Sequence, residues 1–326
     1  MSQPFEGLPT TPKGDELVDK AFSRAARSGR AKSGHDAQQS MLLTASNIIS
    51  DNLENVVSGW PDFERLDPFY YNLADAIVGV DALRQHLNEV SWASRKATDI
   101  RHEYEDLMRG SDVDLARKHR KQAFARLADV VEEVEDDLDA LLDVREQLRG
   151  LPDIRPDEPT IVVAGYPNVG KSSFVNAVTR ASNEEASYPF TTTQVHAGHV
   201  DHQHIRYQLV DPPGLLDRPP EERNEVESQA VSALEHAADA VLVILDPSDE
   251  CGYPLDVQRS LRDALAAEFD APVLSVFNKA DRVRGQTFED ADHVMSVTEN
   301  ENVQAVLEAA IAAVDWEPEL PIDEDQ

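Results

Sequence analysis

Cysteine, basic residues and long apolar runs are all scarce in this sequence. Cys251 is the single cysteine among 326 residues, so neither an intramolecular disulfide nor a thiolate cluster for zinc or iron–sulfur chemistry can form. A reducing cytoplasm fits that composition. No apolar run approaches the ~20 residues that cross a bilayer, and the N-terminus lacks the pattern of a signal peptide. We expect a soluble cytoplasmic protein that is not bound to a membrane.

Lys and Arg are outnumbered two to one, since 30 of them face 62 Asp and Glu and give a formal net charge of −32. Such a charge opposes compaction by self-repulsion. At about 1 M salt the Debye length falls to ~3 Å, which screens the repulsion and leaves a hydrated acidic surface. The acids are spread along the chain and are not confined to one acidic tail. The composition therefore indicates a halophilic, archaeal protein.

The basic residues that are present concentrate in the N-terminal half. Residues 1–150 hold 19 Lys and Arg against 28 Asp and Glu, whereas residues 151–326 hold 11 against 34. Two clusters stand out, KAFSRAARSGRAK at 20–32 and RKHRKQAFAR at 117–126. Because Lys and Arg neutralise phosphates, any contact with RNA is predicted there. The candidate RNA-binding residues are Arg24, Arg27, Arg30, Arg117, Lys118, Arg120 and Lys121.

The pattern along the chain predicts five segments. Residues 1–40 are polar, with Pro, Gly and Ser among the cations, and indicate a flexible basic segment. Residues 41–150 carry apolar residues at helical spacing, including one buried stripe from Leu73 to Val90, and Gly110 interrupts the pattern. A bundle of long antiparallel helices is the simplest packing. The prolines of LPDIRPDEP make residues 151–159 a linker, followed by a domain at 160–315 and an acidic tail at 316–326.

Strand-length apolar runs alternate with helical sequence beyond the linker. The runs are TIVVAG, HAGHVD, IRYQLVD, AVLVILD, VLSVFN and HVMSV, and helices are predicted from Lys171, near 225–238, after AVLVILD and at the end of the domain. Strands alternating with helices predict an α/β domain. Its sheet is expected to be mostly parallel, with helices on both faces.

A phosphate-binding P-loop is predicted at residues 165–172, GYPNVGKS, because this stretch lies between a strand and a helix. Glycines permit the tight backbone whose amides surround phosphates, and the helix adds its positive N-terminal end. Lys171 neutralises the β- and γ-phosphates, and Ser172 places its hydroxyl on Mg²⁺. The nucleotide-binding candidates here are Gly165, Asn168, Val169, Gly170, Lys171, Ser172 and Ser173.

Two segments are predicted to respond to the γ-phosphate. Asp211 ends the strand of QLVDPPG, where its carboxylate supports the magnesium shell, and the amide of Gly214 senses the γ-phosphate. YPFTTTQ at 188–194 supplies a threonine to Mg²⁺, with Thr192 favoured over its neighbours Thr191 and Thr193. The candidate catalytic residues are Lys171, Thr192 and Gly214, and the candidate Mg²⁺ ligands are Ser172, Thr192 and Asp211.

The motif NKAD, Asn278 to Asp281, predicts selectivity for guanine. A carboxylate at Asp281 accepts hydrogen bonds from N1–H and the N2 amine of guanine, a donor pair that adenine lacks. Lys279 lays its methylene stem along the ring, and Asn278 ties the loop to the P-loop. A further strand ends in Ser296 and Val297, where a backbone amide meets the guanine O6.

The motifs GYPNVGKS, YPFTT, DPPGLLDRP and NKAD, in this order, resemble those of the nucleolar GTP-binding protein 1 family of Obg-related GTPases. The resemblance extends to DPFYYNLADAI and to the stretch from ERNEVESQ to DECGY, and so covers nearly the whole chain. It implies a P-loop, Ras-like G domain that hydrolyses GTP and acts as a switch in assembly of the large ribosomal subunit. Ribosomal RNA and the pre-ribosomal particle are the implied partners.

Two alternatives to this function stay open. One is an Obg-like GTPase with another client, in stress signalling or RNA modification. The other is a scaffold that binds GTP and hydrolyses it only incidentally. The helical N-terminal region favours ribosome assembly over the first, because the resemblance there is to the ribosome-assembly family. A monomer is expected in either case.

The chain departs from related sequences at two positions. Pro212 replaces the threonine usual in the family, and Leu215 stands where Ras-like proteins carry the glutamine that orients the attacking water. Slow intrinsic hydrolysis is therefore expected. The resemblance also implies stimulation by the ribosomal particle or by K⁺, because potassium-activated Obg-like proteins coordinate that ion with an asparagine at the position of Asn168.

Histidine and cysteine give weaker signals. His196, His199, His202 and His204 alternate along a predicted hairpin, and exposure on that hairpin explains them better than a zinc site does. Cys251 has no neighbouring base in any motif, so we interpret it as a small buried or loop residue and not as a nucleophile.

Overall fold

The computed structural model describes residues 3–149, 151, 154–179, 184–187, 194–212, 214–286 and 288–314. The chain divides into two compact units. The helical unit comprises Pro4–Leu66 and Val78–Arg149, and the sheet unit comprises Met1–Gln3, Asp67–Ile77 and Gly150–Gln326.

The N-terminal half of the chain is helical, as the spacing predicts. Its helices are α1 (Gly14–Arg30), α2 (Gly34–Ser58), α3 (Pro68–Val78), α4 (Val80–Met108), α5 (Val113–Glu133) and α6 (Glu135–Arg149). Gly110, with φ of 77°, lies in the turn between α4 and α5, where the sequence predicts the break. Long helices on either side of that turn confirm the prediction.

Helix α1 corrects the expectation of a flexible segment at 1–40. Leu17, Ala21 and Ala25 recur every fourth residue and are buried, and Phe5 ahead of the helix is buried as well. Small alanines carry the inner face while charged residues fill the outer one. The polar average of the segment conceals this narrow apolar stripe, which is sufficient because burial of one face stabilises a helix.

The stripe from Leu73 to Val90 belongs to two helices and not to one. Gly79 separates α3 from α4 with φ of 68°, a conformation that favours glycine. Most of α3 falls within the sheet unit, where the Tyr70 hydroxyl donates to the Ile154 carbonyl at 2.5 Å. A single helical domain over 41–150 is therefore incorrect at residues 67–77, because α3 buries Phe69 and Tyr70 in the other unit.

The sheet unit alternates strands and helices along the chain. Its strands are β1 (Thr160–Ala164), β2 (Glu184–Ser187), β3 (Gln194–His202), β4 (Ile205–Asp211), β5 (Ala240–Leu245), β6 (Val273–Phe277) and β7 (His293–Val294). Its later helices are α7 (Lys171–Val178), α8 (Glu225–Ala237), α9 (Leu255–Glu268) and α10 (Val303–Ala313). Each run of strand length noted in the sequence contains a strand, although HVMSV forms one only at His293–Val294, and β2 is an addition.

Within the described residues the sheet has seven strands in the order β2-β3-β4-β1-β5-β6-β7. Pairing from β4 through β7 is parallel, and β2 and β3 add antiparallel pairs at one edge. Every residue of β1 and β5 is buried, as expected of central strands covered on both faces. The carboxyl ends of parallel strands share one edge, which brings the loops after β1, β4, β5 and β6 together.

Candidate functional site

The loop after β1 has the backbone of a P-loop. Gly165 and Gly170 adopt φ values of 133° and 110°, which side chains beyond glycine rarely tolerate. A Cβ at Gly165 would collide with the Ile244 carbonyl oxygen, and one at Gly170 with the Asn278 side chain. Both glycines are thus required by conformation and by close approach. Helix α7 begins at once with Lys171, so its N-terminal amides face the loop.

Lys171 lies inside this loop with only 8% of its surface exposed. Its ammonium donates to the carbonyl oxygens of Gly165 at 2.7 Å and Tyr166 at 3.1 Å. Desolvation lowers the pKa of Lys171, although the Asp211 and Asp217 carboxylates act in the opposite direction. A cation held so close to the loop amides gives the site a strong positive potential for phosphate.

Ser172 and Asp211 meet at the carboxyl ends of β1 and β4. The Ser172 hydroxyl donates to Asp211 Oδ2 at 2.5 Å, and Asp211 is fully buried. A hydroxyl and a carboxylate at this point form the hard oxygen set that Mg²⁺ prefers. These two residues therefore fit a magnesium ion at the mouth of the P-loop. Thr191, Thr192 and Thr193 lie outside the described residues.

Asn278 joins the NKAD loop to the P-loop. Its side-chain amide donates to the Val169 carbonyl at 2.8 Å, and its Oδ1 accepts the Val297 amide at 3.2 Å. Ser296 donates through its hydroxyl to Asp281 Oδ1 at 2.7 Å. Arg282 approaches the other oxygen of Asp281 at 3.2 Å. The fold thus gathers the residues predicted to read the base around one buried asparagine.

Lys279 has an unpredicted partner in Asp246, the residue that follows β5. The Lys279 ammonium donates to Asp246 Oδ2 at 2.6 Å. Burial opposes ionisation of Asp246, but Lys279 and the Ser248 donors outweigh it and hold the pKa of that carboxyl below its usual range. The sequence offers one signal for Asp246, since an acid at the carboxyl end of a buried strand also occurs at Asp211.

The segment after Asp211 is held by side chains that the sequence does not single out. Asp217 Oδ2 accepts the Gly214 amide at 3.0 Å, and Arg218 donates to the Gly214 carbonyl at 2.9 Å. Arg218 also contacts Glu227 at 3.3 Å, at the capped start of α8. Leu215 is fully buried.

Asn168 and Ser173 are exposed residues at the P-loop. Asn168 has φ of 63°, in the left-handed region that asparagine tolerates better than most residues. Its side chain is therefore accessible to solvent.

The two basic clusters come together at one end of the helical unit. Helices α1 and α5 pack through Phe22 and Phe124, whose rings stack with centroids 4.4 Å apart. Arg120 donates to Gln38 of α2 at 2.9 Å, which places the start of α5 beside the start of α2. The end of α1, with Arg30, adjoins the same point. Arg24, Arg27, Arg30, Arg117, Lys118 and Lys121 are exposed, while Arg120 is half-buried.

Cys251 is buried, as expected, but the histidines are not uniformly exposed, because the His199 side chain is only 13% exposed and its Nε2 lies 3.9 Å from Glu158 Oε2. His199 and His202 lie on β3, and His204 lies in the turn before β4; the side chain of His196 is outside the described part of the chain. Among the described residues, no three His, Cys, Asp or Glu side chains cluster as a metal site. Cys251 is 5% exposed, which confirms a buried residue, and burial raises the pKa of its thiol.

The strand order, the P-loop and the NKAD loop together define a GTP-binding domain of the P-loop GTPase class. A family model described as "50S ribosome-binding GTPase" matches residues 160–279, and one described as "NOG1 N-terminal helical domain" matches residues 5–155. The chain belongs to the nucleolar GTP-binding protein 1 family.

Similar proteins come from archaea and eukaryotes. An uncharacterized protein of Methanocaldococcus jannaschii is 34% identical over 86% of this chain and 82% of its own length. Nucleolar GTP-binding protein 1 of Drosophila melanogaster is 32% identical, covering 80% of this chain and 41% of the relative. Nucleolar GTP-binding protein 1 of Saccharomyces cerevisiae is 31% identical, covering 89% of this chain and 46% of the relative. The chain thus spans less than half the length of these eukaryotic relatives.

Among solved structures, a crystal structure described as nucleolar GTP-binding protein 1 from Plasmodium falciparum is 32% identical. It covers 50% of this chain and 90% of that chain, with a TM-score of 0.45. In the part of the chain that the structure describes, no helix is both long and apolar enough to cross a membrane.

Proposed function

We propose that this protein is a GTP-hydrolysing switch that acts in assembly of the large ribosomal subunit. The observation that supports the nucleotide site most directly is the bond from Asn278 to the Val169 carbonyl, 2.8 Å long. It joins the loop that reads the base to the loop that holds the phosphates, which is what a nucleotide spanning both requires. The family supports the ribosomal role, since its second matched model is described as a ribosome-binding GTPase.

The phosphates are bound by the P-loop amides, the N-terminus of α7 and the Lys171 ammonium. Lys171 exchanges its bonds to the Gly165 and Tyr166 carbonyls for phosphate oxygens, which restores the partners that a buried cation needs. Ser172 and Asp211 hold Mg²⁺, with a threonine of 191–193, Thr192 by preference. The ion neutralises charge on the β- and γ-phosphates.

Slow intrinsic hydrolysis follows from Leu215, an apolar residue at the position where Ras-like proteins carry the glutamine that orients water. Leu215 is buried and Gly214 offers only its amide. We propose that the ribosomal particle, or K⁺ held by Asn168, supplies the missing acceleration. A cytoplasm rich in KCl, which the net charge of −32 favours, would provide that ion.

Ribosomal RNA is the proposed partner of the basic end of the helical unit. Six exposed cations gather there in a chain whose overall charge repels nucleic acid. High salt screens the general repulsion, while the clustered guanidinium groups retain local contacts with phosphates. Nucleotide state then sets binding to, or release from, the particle. We propose a cytoplasmic monomer that works in this way.

The test of the central claim is nucleotide competition in molar KCl. Labelled GDP is titrated against wild type and Asp281→Asn, with ATP and xanthine nucleotides as competitors. Wild type is expected to prefer guanine nucleotides over ATP, and the variant to shift toward xanthine nucleotides, because an amide donor replaces the carboxylate acceptor. A wild type that does not discriminate GDP from ATP would overturn the assignment.

The ribosomal role needs a second measurement. GTP turnover is compared with and without large-subunit precursor particles from the same organism. Stimulation by the particle supports the switch. Binding without stimulation favours the GTP-binding scaffold, and absence of both favours a GTPase with another client.

A further inference from the structure

We propose that Asp246 is a positioning residue for nucleotide recognition, which fixes the Lys279 side chain across the face of the purine. This inference rests on the proposed guanine site and adds a residue to it. Asp246 is separated from Lys279 by 33 positions in the chain and is joined to it by the 2.6 Å contact between Oδ2 and the ammonium.

The carboxylate is held rigidly by donors on both oxygens. Ser248 donates to Oδ1 through its amide at 2.9 Å and its hydroxyl at 2.5 Å. The Cys251 amide donates to Oδ2 at 2.9 Å, beside Lys279. Asp246 is completely buried, so water does not compete for these bonds.

Gln258 of α9 fixes the backbone of the same residue. Its Oε1 accepts the Asp246 amide at 2.7 Å, and its side-chain amide donates to the Asp246 carbonyl at 3.0 Å. It also donates to the Tyr253 carbonyl at 2.7 Å, which closes the loop after β5. Residues other than Lys279 therefore hold both the main chain and the side chain of Asp246 in one arrangement.

Lys279 needs such a partner. Its backbone is in the left-handed region with φ of 57°, and its side chain is 20% exposed. A free lysine stem samples many rotamers, and their loss on binding would weaken affinity. Because Asp246 holds the ammonium, fewer rotamers of the Lys279 stem are available in advance, which reduces the entropy lost when a base lies against it. The buried partner also protects the pair from screening in concentrated salt.

The experiment measures GDP affinity for Asp246→Asn, Lys279→Met and the double variant, with Asp249→Asn as the matched control. Asp249 is an exposed acid of the same loop, and asparagine suits its φ of 60°. Asp246→Asn is expected to lower the affinity for GDP about tenfold, because a hydrogen bond to a charged acceptor is lost. The double variant is expected to bind GDP no more weakly than Lys279→Met does. The control should match wild type.

Cys251 supplies a second measurement that does not depend on the folding of an Asp246 variant. It is the single cysteine, and its amide shares Asp246 Oδ2 with Lys279. Because the Cys251 amide and Lys279 share Asp246 Oδ2, saturating GDP is expected to slow alkylation of Cys251 about tenfold in wild type and much less in Lys279→Met.

The outcomes separate this inference from the guanine site itself. If wild type binds GDP selectively but Asp246→Asn binds it equally well, or the two substitutions are additive, Asp246 does not act through Lys279. Equal protection of Cys251 in wild type and Lys279→Met also overturns the proposal. If wild type shows no guanine preference, the proposed nucleotide site fails, whatever the variants do.

Discussion

The Asp217 carboxylate accepts a hydrogen bond from the Gly214 backbone amide, with Oδ2 and N 3.0 Å apart. Gly214 is the residue whose amide we propose to contact the γ-phosphate. The Asp217 carboxylate therefore occupies the same donor, the Gly214 amide, that a γ-phosphate oxygen would use. GTP must displace this carboxylate, whereas GDP need not.

Asp217→Asn is accordingly expected to raise the affinity for GTP relative to GDP by about three- to tenfold, since a bond to a charged acceptor is weakened. Titrations of both nucleotides give the ratio, with a non-hydrolysable GTP analogue in place of GTP. Glu221→Gln, at an exposed acid of the same segment, is the matched control. An unchanged ratio would show that Asp217 does not compete with the γ-phosphate.

Potassium dependence is tested at Asn168. Hydrolysis by wild type is expected to be about tenfold or more faster in KCl than in NaCl at equal ionic strength, and Asn168→Gly to abolish the difference. Glycine is chosen because φ is 63°, where alanine would add backbone strain to the loss of the amide. Equal rates in both salts for wild type would remove K⁺ from the mechanism.

Charge reversal tests the basic end of the helical unit. One variant carries Glu at Arg27 and Arg30, another at Arg117, Lys118 and Lys121, and a control at Arg65 and Arg95, which lie outside both clusters. Binding of the large-subunit precursor is expected to fall by more than tenfold in either cluster variant and to lose part of its salt dependence. Wild-type binding by both cluster variants would locate the RNA contact elsewhere.

Asp239 gives a prediction for pH. Its Oδ2 accepts the Thr160 amide at 2.7 Å, yet desolvation raises the pKa of Asp239 more than this bond lowers it. Because the pKa of Asp239 is higher in the folded than in the unfolded chain, the protonated carboxyl favours the folded state. This contribution to stability is fully present below the unfolded pKa of ~3.9 and is lost as pH rises through the pKa of the folded state. Asp239→Asn keeps the acceptor without the charge.

This variant should therefore raise Tm by about 1–3 °C at pH 7 and lose the advantage near pH 3.5, where the wild-type carboxyl is protonated in both states. Thermal unfolding at the two pH values provides the measurement. Asp263→Asn, at an exposed acid of α9, controls for net charge. A lower Tm at pH 7 would show that the charged bond to Thr160 stabilises the fold.

The sequence alone determined the features that rest on short contiguous stretches. The P-loop needs glycines at fixed spacing between a strand and a helix, so the local sequence specifies it. The guanine selectivity predicted for Asp281 in NKAD rests on the same kind of short motif. Alternation of strands and helices likewise predicted the mostly parallel sheet. The family followed from the same motifs in their order.

Tertiary structure decided the relationships between distant positions. Asp246 reaches Lys279 because β5 and β6 are neighbours whose carboxyl ends share an edge, and strand order is not written in any single segment. The two basic clusters converge because α1 and α5 pack through Phe22 and Phe124. Helix α3 joins the sheet unit through burial of Phe69 and Tyr70. Each of these contacts depends on which apolar faces pack against one another, and that pairing is set by the tertiary structure and not by any single segment.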